Sequence, residues 1–388
     1  MLPICEGVRV GASHQPPGGR TCFSAKRGRS FNGDREAPAK GGRQDSRPPR
    51  ATSTGMSLPA DTILAELHCH VGSAVDPAVM WSICHSQGIK LPSKSYWDFV
   101  DLITTSGQRV KTFEEYLQLF HITELIQSSP AAMEASVYAI IGGAYRKNNI
   151  GVLELRFNPM KRNRGGERDL DHIIAAAARG MERACMEYPV RAGLVHCLDK
   201  AFGMELNRVI VEKAYKHNRV QSGVVGIDMA GPEAADYNYR EYADLMKQAR
   251  DWGLGITIHA GESGTPQAMH ECIEFLAPHR IGHGVKAALM PELMDVVAEK
   301  QILLEVCPTS NYATGVLRDH EHLSEVLRKF DRHGVRYSFD TDGPEMLGVS
   351  LREEIDSHIA AGAVTVEQAI QCNAWACEAS FVSGGHQR

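Results

Sequence analysis

The sequence of 388 residues lacks several features that mark common protein classes. No apolar run approaches the ~20 residues that a membrane span needs. Its ten cysteines are scattered without a Cys-x-x-Cys pair, and several lie in apolar runs, which indicates buried thiols in a reducing compartment and not a disulfide framework. The net charge is only −5, so no basic excess indicates binding to nucleic acid or to a membrane surface.

The first 56 residues contain few of the large apolar side chains that a folded domain needs. They are rich in Gly, Pro, Arg and Ser and hold ten Lys/Arg against four Asp/Glu. Such a segment cannot bury enough surface to offset its chain entropy, so we predict a disordered basic extension over residues 1–56. Its acids and many glycines favour a simple tail, or a start at Met56, over an organelle transit peptide. We therefore expect a cytoplasmic protein.

Eight short β-rich runs from Leu64 onward alternate with amphipathic segments. Over residues 238–252, apolar side chains recur every three or four positions, which predicts a helix. Eight strands separated by helices predict an α/β protein, with a parallel sheet closed into a TIM (β/α)8 barrel within residues 57–388. A doubly wound open sheet is second, because no GxGxxG turn follows the first strand. The predicted strands are 64–70, 152–159, 190–197, 224–231, 255–262, 280–284, 302–308 and 336–342.

One connection in this pattern is much longer than the others. Residues 71–151 separate the first two predicted strands. Within them, the run FEEYLQLF places Phe113, Tyr116, Leu117 and Phe120 on one helical face. Such a stripe is either core packing or, because it follows a barrel strand on the face where barrels carry active sites, part of a substrate lid. We predict a helical lid insertion over about residues 71–151.

Polar side chains recur at the predicted carboxyl ends of the strands. His68 and His70 lie two residues apart in the first strand and therefore point to the same face. His259 lies in the fifth strand, His283 in the sixth, and Asp342 ends the eighth. Because these ends meet at one mouth of a barrel, three imidazoles and a carboxylate can gather there, and such a donor set suits Zn²⁺. Hydrogen-bonded core histidines are the alternative for the first pair taken alone.

Six ordered motifs resemble those of the adenosine deaminase family of metal-dependent amidohydrolases. They are ELHCH, IDMAGPE, TIHAGES, RIGHGV, EVCPTSN and DTDGP, and the resemblance covers about residues 62–360. The H-x-E and P-C-x-x-C signature of the cytidine deaminases is absent from the sequence. The resemblance implies one bound Zn²⁺, with the ligands His68, His70, His259 and Asp342.

The resemblance also implies roles in catalysis. Glu262 corresponds to the group that donates a proton to the purine ring nitrogen next to the attacked carbon. His283 would hold the attacking water as a base or an electrostatic anchor, and Asp342 would accept a hydrogen bond from it. Gly231 corresponds to a position whose backbone N–H meets the purine ring. The positions implied to contact the substrate are Gly231, His70 and Gly343.

Two positions depart from the family pattern. The family usually has an acid at Gly343, which contacts the far ring nitrogen, and commonly one at Gly72, which binds a sugar hydroxyl. Both acids recognise the substrate, so we expect unchanged chemistry on a modified or phosphorylated aminopurine. Lys161, Arg162 and Arg164 follow the second strand and are candidates to bind a phosphate or carboxylate. A solvated loop is the alternative for these three charges.

Five other polar residues are assigned structural roles. We expect Glu154 and Arg156 to form a buried ion pair or a hydrogen-bonded part of the core. Asp228 is predicted to support a metal ligand and not to bind the metal itself. Ser310 and Asn311 are predicted to support the metal site without touching the substrate.

The resemblance therefore implies a zinc-dependent hydrolytic deaminase of an aminopurine, either adenosine or a related adenine nucleoside or nucleotide. Such an enzyme releases ammonia and forms the 6-oxo purine. The alternatives are a related metal hydrolase that acts on a different C–N bond and a non-catalytic binding protein on the same barrel. The intact Glu262 argues against the last. The expected partner is the small-molecule substrate, without nucleic acid or membrane, and the oligomeric state is not determined by these patterns.

Overall fold

A computed structural model describes residues 57–105, 113–164, 166–219, 223–233 and 237–384 of the chain. The disordered extension predicted over residues 1–56 lies outside these described residues.

Eight parallel strands pair in sequence order, β1 to β8, as the pattern predicted. This order confirms the TIM (β/α)8 barrel and rules out the doubly wound alternative, in which the strand order reverses. The strands are β1 (Leu64–His70), β2 (Ile150–Phe157), β3 (Arg191–Asp199), β4 (Val224–Ala230), β5 (Gly255–Ala260), β6 (Arg280–His283), β7 (Leu303–Val306) and β8 (Arg336–Phe339).

The barrel closes between its first and last strands just beyond the end of β8. The backbone N–H of His70 donates to the carbonyl of Asp342, and the N–H of Asp342 donates to the carbonyl of His68, each over 2.9 Å. Asp342 has a left-handed backbone with φ +64°, so the chain has already left the extended conformation of β8. The predicted strand 336–342 therefore ends early, at Phe339, and its last residues form the mouth of the barrel instead.

Buried apolar runs form the strands because helices cover the outside of the sheet. In β5, for example, every residue of the run GITIHA is buried. Strands of a parallel barrel are enclosed on both faces, which favours continuous apolar runs over simple alternation. The polar residues that interrupt these runs face the barrel interior and account for most of the site described below.

Four helices fill the long connection after β1, as predicted. They are α1 (Pro77–Ser86), α2 (Tyr96–Ile103), α3 (Phe113–Ile126) and α4 (Pro130–Asn148). Helix α4 begins at the Ser129 cap, whose hydroxyl accepts from the N–H of Ala132, and ends at Asn149 in a left-handed conformation. Tyr116 and Phe120 of α3 are one helical turn apart and face the barrel mouth. These two members of the stripe predicted in the insertion therefore lie at the pocket in the barrel mouth.

The remaining helices alternate with strands or follow β8. They are α5 (Leu170–Glu187), α6 (Met204–Arg219), α7 (Ala243–Asp251), α8 (Pro266–Leu276), α9 (Pro291–Glu299), α10 (Pro308–Ala313), α11 (His320–His333), α12 (Pro344–Leu347), α13 (Leu351–Ala360) and α14 (Val366–Ala379). The helix predicted over residues 238–252 divides into a 3-10 turn (Tyr239–Tyr242) and α7, a tightening that is common where helices begin. Among the described helices, none has the length and apolarity that crossing a bilayer would require.

Candidate metal and catalytic site

Two histidines of β1 begin the site. His68 is fully buried, whereas His70 lies at the strand end and lines the pocket at the barrel mouth. Their rings stand 5.3 Å apart between centroids, both inside the barrel, as the two-residue spacing predicts. The ring of His259, from the end of β5, lies 4.6 Å from that of His68 and 5.3 Å from that of His70.

Three imidazoles and a carboxylate gather at this mouth. His70 Nε2 lies 3.2 Å from His259 Nε2 and 3.4 Å from Asp342 Oδ1. His68 Nε2 lies 3.7 Å from the same oxygen. Ligands about 2.0–2.1 Å from a tetrahedral ion are separated from one another by about 3.3 Å. The three histidines therefore lie close enough together to share one cation of zinc size, and Asp342 Oδ1 lies beside two of them.

The tautomers of two histidines leave lone pairs directed at the space between these groups. His68 Nδ1 bonds Glu305 Oε2 at 2.8 Å, and His259 Nδ1 bonds the Asp228 carboxylate at 3.0 Å. A carboxylate at Nδ1 holds the proton there and frees Nε2 to bind a metal. Nε2 of His68 is buried and has no hydrogen-bond partner among the described residues. A bound cation would satisfy this orphaned atom, so the residues present fit the implied metal.

A buried ion network holds the carboxylates behind these ligands. Arg156 donates to Glu305 Oε2 (2.9 Å) and to Asp228 Oδ2 (3.1 Å), while Arg280 donates to Glu305 Oε1 (2.6 Å) and to Glu154. Burial alone would raise the pKa of Glu305, but the two arginines lower it to about 2. Glu305 therefore stays ionised beside His68.

The network corrects one expectation from the sequence. Glu154 and Arg156 do belong to the hydrogen-bonded core, but they do not pair with each other. Glu154 pairs with Arg280. Arg156 pairs with Glu305 and Asp228. Asp228 supports His259, as expected. Glu305 was not predicted from the sequence. A signal was present, because Glu305 is a charged residue inside the buried strand β7 and within the motif EVCPTSN.

Asp342 is held by its backbone and by two hydroxyl groups. Its φ of +64° is strained for a residue with a side chain, and strain of this kind clusters at functional sites. Ser310 donates to Asp342 Oδ2 over 2.6 Å, and Tyr116 donates to the same oxygen over 3.1 Å. Oδ1 remains directed towards the histidines. Asp340, two residues earlier, instead accepts from the β1 backbone N–H groups of residues 67 and 68.

Glu262 and His283 stand side by side next to the ligand set. His283 Nε2 lies 3.6 Å from Glu262 Oε2, and both side chains are buried and line the pocket. Burial raises the pKa of Glu262 well above its usual value, and the negative charges of Asp342 and Glu233 raise it further. Glu262 is thus suited to carry a proton near neutral pH.

An amide fixes the tautomer of His283. Asn311 Nδ2 lies 3.1 Å from His283 Nδ1 and can only donate, so the ring accepts at Nδ1 and carries its neutral proton on Nε2. The backbone of His283 is left-handed, with φ +62°. Asn311 and Ser310 both support this cluster, and neither lines the pocket, in agreement with the geometry expected from the sequence.

The turn that carries Glu262 is held from two sides. The carboxylate of Glu233, after β4, accepts from the backbone N–H groups of Gly261 and Glu262, each over 3.2 Å. Lys286 Nζ donates to the carbonyls of Ser263 (3.0 Å) and Gly264 (2.8 Å). Glu233 was not singled out from the sequence, because nothing in its motif indicated where its side chain would point.

Three glycines expected to matter for the substrate have different surroundings. Gly231 follows β4 with φ +102°, and a Cβ there would come within 2.9 Å of an Asp199 oxygen. Gly231 and Gly72 line the pocket. Gly343 does not line it, because a Cβ there would meet Ser73 at 2.7 Å and the Tyr116 hydroxyl at 3.4 Å. Tyr116 lines the pocket in its place.

The pocket has a volume of about 250 Å³ and joins the ligand set to the loop after β2. Lys161 and Arg162 line it, whereas Arg164 is partly exposed and does not. Each is paired: Lys161 with Asp199 (2.5 Å), and Arg162 (3.0 Å) and Arg164 (3.8 Å) with Glu124. The solvated-loop alternative therefore does not describe Arg162, which is buried.

Two other buried groups contain side chains that can bind a metal. His196 is buried against Phe157, with ring centroids 5.4 Å apart, and lies outside the pocket. His68, His283 and Cys307 also approach one another closely enough to share an ion. Cys307 does not line the pocket, and its thiol donates to a backbone carbonyl. The set with His70 and His259 faces the pocket and is the one that we assign.

Comparisons with known proteins agree with this geometry. The family model described as adenosine deaminase matches residues 64–388. The adenosine deaminase of Shewanella halifaxensis (strain HAW-EB4) is 30% identical over 291 residues, which cover 75% of this chain and 85% of that protein.

Solved structures with the same fold are more distant in sequence. An adenine deaminase from Arthrobacter aurescens has a TM-score of 0.73 at 17% identity and covers 84% of this chain and 98% of its own. The N6-mAMP deaminase MAPDA of arabidopsis has a TM-score of 0.71 at 20% identity and covers 83% and 94%. At these identities the likeness establishes the barrel fold and not the substrate.

Proposed function

Because the chain belongs to the adenosine deaminase family and is therefore a hydrolase that acts on C–N bonds, we propose that it is a zinc-dependent hydrolytic deaminase of an adenine nucleoside or nucleotide. The reaction replaces the exocyclic amino group of the aminopurine with an oxygen from water and releases ammonia. The observation that carries the proposal is the convergence of three imidazoles and one carboxylate beside a buried glutamic acid of raised pKa.

The zinc ion would be held by the three histidines and the carboxylate that gather at the barrel mouth. When bound there, zinc supplies the Lewis-acid chemistry that makes a water nucleophilic at neutral pH. Glu305 and Asp228 orient two of the imidazoles for this task and keep their Nδ1 atoms protonated. The ligand residues are His68, His70, His259 and Asp342.

Glu262 performs the proton transfer to the purine. Its raised pKa keeps the carboxyl protonated, and it donates that proton to the ring nitrogen beside the attacked carbon. Protonation withdraws electrons from the carbon and makes it susceptible to attack by water. Glu233 and Lys286 hold the turn so that the carboxyl faces the pocket. One proton of the attacking water passes to the amino group, which leaves as ammonia, and the other restores the Glu262 carboxyl, while the 6-oxo purine keeps the proton on its ring nitrogen.

His283 and Asp342 orient the attacking water. With its neutral proton on Nε2, His283 donates a hydrogen bond, so the role of electrostatic anchor fits better than that of base. Asp342 accepts a hydrogen bond from the same water, while Ser310 and Tyr116 fix the carboxylate. Both groups therefore define the direction from which water approaches the purine.

The purine would lie between the ligand set and the end of β4. Gly231 lines the pocket without a side chain, which allows its backbone to approach the ring closely. His70 lines the same wall, whereas Gly343, which the sequence predicts to contact the substrate, lies outside the pocket lining and beside the Tyr116 phenol. We also propose that residues 57–388 form one deaminase domain, in which the insertion is a lid over the pocket. We further propose that this protein, with its many free thiols, works in the cytoplasm.

The test is a deamination assay on the full chain loaded with zinc. Adenosine, adenine, AMP and N6-methyl-AMP are supplied separately, and the ultraviolet change of the purine is followed together with the released amine, which is ammonia for the first three and methylamine for N6-methyl-AMP. The proposal predicts that at least one adenine nucleoside or nucleotide yields its amine and the 6-oxo purine in equal amounts. Release of no amine from any of them, with the metal bound, would contradict it and favour another C–N hydrolase.

A further inference from the structure

We propose that the part of the pocket beside Gly72 is an anion site, in which Arg162 and Asn158 bind a phosphate or carboxylate on the sugar of the substrate. This inference rests on the proposed function, because it specifies the class of aminopurine that the enzyme takes. Phosphate and carboxylate are alike in carrying negative charge and in accepting hydrogen bonds without donating them.

Arg162 is the first part of this site. It ends the 3-10 turn Pro159–Arg162, which follows β2, and only 2% of it is exposed. Its Nη1 faces Glu124 at 3.0 Å, while its Nε has no hydrogen-bond partner among the described residues. Its Nη2 would lie 3.3 Å from a Cβ at Gly72. The guanidinium therefore borders the place where the family commonly has an acid.

Asn158 supplies a second buried donor. Its Oδ1 accepts from the backbone N–H groups of Met160 (2.9 Å) and Lys161 (3.2 Å), and this fixes which way the amide points. Its Nδ2 is buried, and no acceptor for it occurs in the described part of the chain. Asn158 and Arg162 line the same pocket. Buried donors without acceptors are rare in proteins, so a ligand that accepts hydrogen bonds would satisfy both.

Arginine chemistry at this part of the pocket favours an anion. Lys161 and Arg162, which line the pocket, face Asp199 and Glu124, and Arg164 outside the pocket gives Glu124 a second cation at 3.8 Å. The planar set of donors of an arginine matches a phosphate or carboxylate, and the hydrogen bonds between them are strongest where water is excluded.

An acidic side chain that binds a sugar hydroxyl cannot be accommodated at Gly72 unless its neighbours rearrange. A Cβ at Gly72 would come within 2.9 Å of Phe120 Cδ1, as well as close to Arg162. An acid accepts a hydrogen bond from a hydroxyl, whereas the polar group nearest to Gly72, the Arg162 guanidinium, is a donor. The polarity of the contact is thus reversed: the chain offers hydrogen, and the substrate must offer an acceptor.

The first experiment measures binding without relying on turnover. Calorimetry on the zinc-loaded full chain compares IMP with inosine, which differ only by the phosphate. The wild-type protein is expected to bind IMP at least ~10-fold more tightly, and Arg162→Met is expected to remove most of that difference while leaving inosine binding unchanged. Arg183→Met, a partly exposed arginine on α5, is the matched control and should retain the preference.

Two further variants guard against a folding defect. Arg162→Met leaves Glu124 without its closest cation, so the double variant Arg162→Met/Glu124→Gln removes both charges together. Asn158→Ala removes the second donor and should reduce the preference for IMP in the same direction. Turnover of AMP against adenosine 5′-carboxylate then distinguishes a phosphate substrate from a carboxylate substrate.

The outcomes separate this inference from the proposed function. If adenosine is deaminated but IMP binds no better than inosine, and adenosine 5′-carboxylate is turned over no better than adenosine, the anion site is wrong and the deaminase stands. If no aminopurine is deaminated while IMP binds better through Arg162, the anion site stands and the deaminase proposal fails. A preference for IMP that persists in both Arg162→Met and Arg162→Met/Glu124→Gln would also overturn the site.

Discussion

The phenol of Tyr116 donates a hydrogen bond to Asp342 Oδ2 over 3.1 Å, across 226 positions of sequence. Asp342 is a proposed zinc ligand, and Tyr116 belongs to α3 in the insertion after β1. Burial and the charge of Asp342 raise the pKa of Tyr116, so the phenol keeps its proton and remains a donor. The insertion thus contacts the proposed metal site directly and also covers Gly343, where the family usually has an acid.

Removal of this phenol should reduce activity without removing the metal. Tyr116→Phe is expected to lower kcat/KM by about 3- to 10-fold, because Ser310 still donates to the same carboxylate oxygen. Zinc content should remain at one per chain. Steady-state kinetics with the best aminopurine checks the rate, and Tyr145→Phe on α4 is the control. A loss of zinc in Tyr116→Phe would show that the phenol holds the metal site together instead.

Glu262→Gln should separate chemistry from metal binding. We expect it to retain zinc and to lose turnover by ~10²–10⁴-fold, because the amide cannot give its proton to the ring nitrogen. Glu271→Gln, an exposed residue on α8, serves as the control with the same chemical change. Metal analysis and single-turnover rates are measured on the same preparations. Near-normal rates in Glu262→Gln would discard the assignment of the proton donor.

The raised pKa of Glu262 predicts the sign of the pH dependence. The protonated carboxyl is the active form, so kcat/KM should fall as the pH rises through its raised pKa. Glu233 contributes to that elevation through its negative charge. Glu233→Gln should therefore lower the pKa of Glu262 and move the alkaline fall of the profile to lower pH. An alkaline fall at an unchanged pH in Glu233→Gln would contradict this account.

The carboxylate behind His259 should control metal affinity. Asp228 holds the proton on His259 Nδ1 and is itself held by Arg156, so its pKa is lowered. Asp228→Asn is expected to weaken zinc binding by about 10- to 100-fold, as loss of such supporting groups does in other metal sites. Competition with a chromogenic chelator measures this affinity. Asp251→Asn, on the surface end of α7, should bind zinc as tightly as wild type.

The arrangement of the strand ends could be predicted from the sequence because it follows from local rules. Alternation along β1 places His68 and His70 on one face, and parallel strands bring their carboxyl ends to one mouth. The barrel and the family resemblance are confirmed. The places of His259 and His283 follow from the same argument, although their chemical roles remain proposals.

The remaining contacts could not be predicted, because they join segments that no local pattern relates. Several carboxylates point into the barrel near Arg156, and only the packing of the barrel determines that Glu305 and Asp228 are its partners. Likewise, Phe120 occupies the space beside Gly72 because α3 packs on the barrel mouth. Sequence alone identified the missing acid but not the side chains that replaced it.

X-ray absorption at the zinc edge of the loaded full chain tests the central claim most directly. The account predicts one zinc per chain, with nitrogen and oxygen ligands at about 2.0–2.1 Å and an imidazole signal that weakens in His259→Ala. A sulfur ligand at about 2.3 Å would place the ion with Cys307 instead. That result, or a spectrum unchanged by His259→Ala, would contradict the site proposed for this deaminase.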